Sequence, residues 1–199
     1  MIKKILIVSI VLLSAISFAQ QEDGQYIHTN LTRATASIVA GSMLHYNINN
    51  VHLNGNFEYY LDNKISIRGD INFLMGSKGL TSDSIGLKDE HSLMLGVVYH
   101  FHTKNHVDPY FIMQPGFAYT SSYKEITTNI PDKNTTNVSY KAVISPLATA
   151  GLGLNYYFER FAHLFVETRY VYGNHLSEAP KPISLQELQI TFGLGFNLF

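Results

Sequence analysis

The last fourteen residues, QELQITFGLGFNLF, limit what this chain can become more than any other stretch. Leu188, Ile190, Phe192, Leu194, Phe196 and Leu198 share one parity, while Gln189, Thr191, Gly193, Gly195 and Asn197 share the other. Side chains on a strand point alternately to opposite faces, so the segment is a strand with one oily face and one polar or tiny face. The sequence closes on it with an aromatic residue, Phe199.

Seven more strands of the same kind precede it. Parity predicts strands at residues 35–46, 51–61, 65–75, 92–101, 111–119, 148–158 and 164–172, with the last at 188–198. In the second, Val51, Leu53, Phe57 and Tyr59 oppose His52, Asn54, Asn56 and Glu58; in the first, His45 falls on the polar side. Asp62-Asn63-Lys64 marks a tight turn. Residues 76–91, 121–144 and 174–184 are polar and read as long loops, and they alternate with short connections. The connection at 47–50 is short for its place in that series.

Residues 1–19 carry Lys3 and Lys4, an apolar run, and Ser17-Phe18-Ala19, the layout of a secretory signal peptide. The apolar run is too short for a spanning helix, which needs ~20 residues. Residues 20–199 are then a single domain. With the leader go two of the 14 basic residues, leaving 12 against 15 acidic ones, so no basic footprint for nucleic acid remains. The chain has no cysteine, which excludes a lipid-modified cysteine and a disulfide framework. It is 46% hydrophobic with only 15% charged residues, and it holds 13 Tyr and 12 Phe. Half-apolar strands, many aromatics and an exported chain describe an all-β fold, a closed eight-stranded antiparallel up-and-down transmembrane β-barrel. In the competing fold, a soluble lipocalin-like barrel, the apolar parity would face inward.

The polar parity carries Glu58, Arg68, Asp70, Glu167 and Arg169, with Glu187 at the rim. An Arg turned toward lipid at the midplane costs ~2–4 kcal/mol, so these groups are expected inside, paired with one another. Seven glycines of the same parity, Gly153 and Gly195 among them, make room for long side chains. An eight-stranded interior is just wide enough for side chains to fill it, which predicts a plugged lumen.

Two candidate sites of chemistry stand apart from that network. His100, His102 and His106 cluster near one turn, with His100 and His102 on one face, but no carboxylate is spaced to complete a ligand set. They read as solvated turn histidines, and neither a metal nor a cofactor is expected. His175-Leu176-Ser177 resembles the His-x-Ser element of the lipid A deacylase barrels, which hold a Ser/His/Glu triad on the lipid-facing side. That resemblance implies Ser177 as nucleophile, His175 as base and Glu187 as acid. Glu178 departs from it, standing where that family usually has Asn. Asp83-Ser84-Ile85 is similar to the short O-glycosylation signal of Bacteroidetes. Three Asn-x-Ser/Thr triplets, beginning at Asn30, Asn134 and Asn137, reflect loop composition.

Phrases such as Gly151-Leu152-Gly153-Leu154-Asn155-Tyr156-Tyr157-Phe158 and Gly193-Leu194-Gly195-Phe196-Asn197-Leu198-Phe199 resemble the small OmpA/OmpX-type barrels, the outer membrane protein β-barrel domain group. The resemblance runs from Thr35 to Phe199. It implies residence in the bacterial outer membrane, contact with outer-membrane lipid and lipopolysaccharide, and no enzymatic activity. It also implies that barrel-assembly machinery reads Phe192, Leu194, Phe196, Leu198 and Phe199. Phe199 departs from that signal, because it falls on the parity of Gly195 and Asn197. The surface ligand, if there is one, has no signature in the sequence.

Overall fold

The computed structural model describes residues 26–101, 106–127, 135–176 and 183–198. Among them there are nine strands and no helix: β1 (Thr32–Met43), β2 (Asn49–Tyr60), β3 (Ile65–Lys78), β4 (Ile85–His100), β5 (Val107–Thr127), β6 (Thr135–Ser139), β7 (Val143–Glu159), β8 (Ala162–Gly173) and β9 (Glu187–Asn197). Every pairing is antiparallel. β1 pairs with both β2 and β9, and β4 pairs with β5, so eight strands close into a ring. β6 pairs only with β5 and stands outside the ring as the return arm of a ribbon. The leader and Phe199 lie outside the described residues.

The oily parity faces outward all the way round. On β2, Val51, Leu53, Phe57 and Tyr59 are exposed while His52, Asn54, Asn56, Glu58 and Tyr60 are buried. Across the closing seam, Ile38 sits between Leu53 and Phe192, and Ile38 and Phe192 are each 64% exposed. Water would leave such a belt unburied at a cost of ~1.5–3 kcal/mol per large side chain; lipid removes that cost. This arrangement overturns the lipocalin-like alternative.

Two expected loops turn out to be largely strand. β3 runs on to Lys78 and β4 begins at Ile85, which leaves only residues 79–84 as the turn. Gly79 there takes φ +116°, and a Cβ would run into the Asn47 carbonyl of the neighbouring connection, so glycine is required. Likewise, β5 continues to Thr127 and is met by β6 within residues 121–144. Backbone ladders extend past the lipid band, where the outer face is wet and no oily parity is needed to advertise a strand. His45, expected inside, is exposed because β1 ends at Met43.

The inward face is not uniformly polar. At the long-loop end, Met43, Ile48, Leu87, Leu147, Ile183 and Leu185 join one buried apolar cluster. At the short-turn end, Ile27 and Leu31 pack with Tyr60 and Tyr157, and Tyr26 stacks on Tyr157 at 4.9 Å. The β4–β5 ladder has one gap: it pairs Met94 with Gly116 and Val97 with Met113, and skips the residues between. Pro115, within that gap, has no N–H to contribute.

Candidate functional site: the lumen

The interior is built from large residues set opposite absent side chains. Tyr110 pairs with Gly153 across β5 and β7, and a Cβ on Gly153 would overlap the Tyr110 ring. His163 pairs with Gly195 in the same way across β8 and β9. Into the space so made, β3 and β8 each send two charged residues.

At mid-height, Arg68 and Arg169 close a ring with Asp70 and Glu167. Arg68 donates to Glu167 and to Asp70, both at 3.0 Å; Arg169 donates through Nε to Glu167 at 2.7 Å and through Nη2 to Asp70 at 3.3 Å. Tyr110 donates to Glu167 at 2.8 Å and Gln114 donates to Asp70 at 2.6 Å. All four charged residues are buried. Two charges of each sign, with the remaining lone pairs met by neutral donors, is the form in which a buried ion pair repays its desolvation.

Toward the short turns lies a second tier that includes Glu58 among the expected residues and several that parity did not single out. Arg33 donates to Tyr157 and pairs with Glu58 at 3.5 Å, its guanidinium 4.9 Å from the Tyr60 ring centre and 5.4 Å from that of Tyr157. His100 is buried, not solvated. Its Nδ1 lies 2.9 Å from Asp108 and its Nε2 lies 3.1 Å from Glu58. An imidazole serves two carboxylates as donor only when both nitrogens carry protons. Asn155 and Tyr157 complete the shell of Asp108, at 2.7 and 3.2 Å. The spacing argument missed these carboxylates because they reach His100 from β2 and β5, not along β4. Tyr157 already lay on the inward parity of an expected strand, and Arg33, Asp108 and Tyr110 were readable by extending strand parity one to three residues. In the adjoining turn, Asp62 accepts from the Lys64 and Ile65 N–H groups at 2.6 and 2.7 Å, which holds its carboxyl below the usual range. His106 donates through Nδ1 to the Tyr157 carbonyl at 2.8 Å and lies 2.8 Å from the Tyr26 hydroxyl, and His102 lies outside the described residues.

Toward the long loops, Glu187 of β9 comes together with His52 of β2 and Glu90 of β4. All three are buried, and their ligand atoms lie within 4.8 Å of one another. Asn50 and Gln189 donate to Glu187 at 2.8 and 2.6 Å. A Cβ on Gly41 would overlap the Glu187 carboxylate, so the glycine lets that group lie against β1.

Of the implied hydrolytic triad, His175 and Glu187 lie among the described residues. The His175 imidazole is buried inside the barrel, not on its lipid face, where it bonds Thr120 through Nδ1 and Ser122 through Nε2 at 3.3 Å. Burial pushes it below the ordinary histidine range. The Glu187 carboxylate is engaged by Asn50 and Gln189, and Ser177 lies outside the described residues.

Residues 5–197 match the family model described as "Outer membrane protein beta-barrel domain". No curated protein matches the chain. Among solved structures, the chain is similar to the outer membrane protein OprG of Pseudomonas aeruginosa at 12% identity, with 87% of this chain and 98% of that one covered and a TM-score of 0.60. It is similar to Neisserial surface protein A at 14% identity, covering 85% and 96%, TM-score 0.58. It is also similar to the N-terminal β-barrel domain of P. aeruginosa OprF at 17% identity, covering 85% and 98%, TM-score 0.53. At these identities the likeness is one of fold.

Proposed function

We propose that this chain, which belongs to the outer membrane protein β-barrel domain family, is a non-enzymatic barrel with a plugged lumen, serving envelope integrity or surface contact. The observation that carries this reading is the state of its interior. Arg68, Asp70, Glu167 and Arg169 cross-link β3 to β8 through the centre, and an apolar cluster lies beyond them toward each end. A solute would have to break two buried ion pairs to pass, at ~3–5 kcal/mol for each uncompensated charge. Surface contact is supported by the ribbon: β5 has 21 residues, about twice the ~9–11 that a membrane strand needs. Its upper part, paired with β6, stands clear of the lipid band, together with the ends of β3 and β4. Lipid and lipopolysaccharide would surround the outward belt, and the assembly machinery would engage β9 by its outward Phe192, Leu194 and Phe196.

Conductance in planar bilayers tests the plug. Silent membranes at high protein density are expected, and discrete conducting steps would overturn it. The hydrolase reading has less support, because His175 already spends both nitrogens on hydroxyls. Lipid A analysed by mass spectrometry with and without the protein should show one acyl pattern.

A further inference from the structure

We propose that His52, Glu90 and Glu187 form a binding site in the upper lumen for a divalent first-row metal ion, with zinc as the test case. Three observations converge on it. First, the donor atoms of the three charged or ionisable side chains lie within 4.8 Å of one another. A tetrahedral site with bonds of ~2.0–2.2 Å holds its ligands about 3.4 Å apart, so small rotations bring these together.

Second, among the described residues no arginine or lysine ion pair reaches Glu90 or Glu187; those of Arg33, Arg68 and Arg169 all go to Glu58, Asp70 and Glu167. Two buried carboxylates beside one imidazole are offset either by protons or by a bound cation. His52 approaches Glu90 only to 3.9 Å, beyond hydrogen-bonding distance.

Third, the site holds acceptors with nothing to accept. Glu90 Oε2 and His52 Nδ1 are buried without a hydrogen-bond partner. A proton shared between the carboxylates would neutralise one charge but leave the His52 nitrogen unmet, whereas a metal ion would engage both side chains. The mixture of one imidazole nitrogen with carboxylate oxygens suits a zinc-like ion better than calcium or magnesium, which take oxygen ligands only. Apolar residues of the long-loop cluster lie above the site, so the ion would enter as the barrel closes.

The test folds the chain into detergent micelles with zinc or with EDTA, desalts it, and measures retained metal by plasma mass spectrometry. The wild type should keep about one zinc per chain, and its unfolding temperature should rise in zinc. His52→Ala, Glu90→Gln and Glu187→Gln should each retain at least tenfold less and lose the rise. Heat-modifiable gel mobility identifies the variants that fold, and any one of the three suffices. A wild type that keeps no zinc overturns the proposal. So do folded variants that keep as much as the wild type, or calcium retained as firmly as zinc.

Discussion

Two groups of buried acids share this narrow interior, and their surroundings differ. In the lower and middle lumen, four carboxylates (Glu58, Asp70, Asp108 and Glu167) meet three guanidiniums and His100, so the charges balance. In the upper lumen, Glu90 and Glu187 meet one histidine, two amides and no guanidinium. The balanced group spans β1, β2, β3, β4, β5 and β8 and ties the wall to itself. The other converges from β2, β4 and β9. Burial is the same in both, so burial alone does not make a buried acid structural. What distinguishes them is whether the fold itself supplies the opposite charge.

The sharpest way to break that contrast is to remove one acid from each group. Asp70→Ala or Glu167→Ala leaves two guanidiniums to share one carboxylate in a dry interior, and a loss of ~3–5 kcal/mol in urea unfolding from micelles is expected. A loss below 1 kcal/mol would mean that water reaches them. Next in size is Gly153→Ala, whose new methyl displaces Tyr110 from Glu167; overpacking of this kind costs ~1–3 kcal/mol. Gly55→Ala is its outward control, since a Cβ there comes no nearer than 4.0 Å to Thr35 O, and its unfolding curve should overlay that of the wild type. In EDTA, Glu187→Gln should move stability the other way, a gain on the order of 1 kcal/mol, because it removes a buried charge for which the fold supplies no guanidinium. Destabilisation there would show that Glu187 acts as a structural acid after all.

The smallest effect is expected outside the lumen, at Asp62. Its carboxyl is held below the ordinary 3.8 by two backbone N–H groups. A carboxyl with a lowered folded pKa stabilises the fold above its unfolded value and ceases to as pH falls through its folded value. Asp62→Asn should therefore melt slightly lower than the wild type at neutral pH, and the two curves should merge in strong acid.

Much of this was legible in the chain. Eight runs of alternating parity gave the wall, and charged residues on the wet parity gave Arg68, Asp70, Glu167 and Arg169 their inward direction. Two physical reasons kept the rest out of sight. Strand ends above the lipid carry no oily face, so Glu90 fell within an expected loop, although β4 already holds it in the lumen. Convergence across a barrel also depends on the stagger between strands, which parity does not encode. His52 lay on the inward parity from the start, but its approach to Glu90 and Glu187 follows from how β2, β4 and β9 are offset. His100 was misplaced for the same reason, with its two carboxylates arriving from other strands.

The missing rungs at Pro115 bear on how such a wall yields. A ring has no free edge from which to fray, so opening must begin at an interior seam. Between β4 and β5, Pro115 takes one backbone donor out of the wall. Amide deuterium uptake should start there, and mechanical load on the cylinder would part it along that line first.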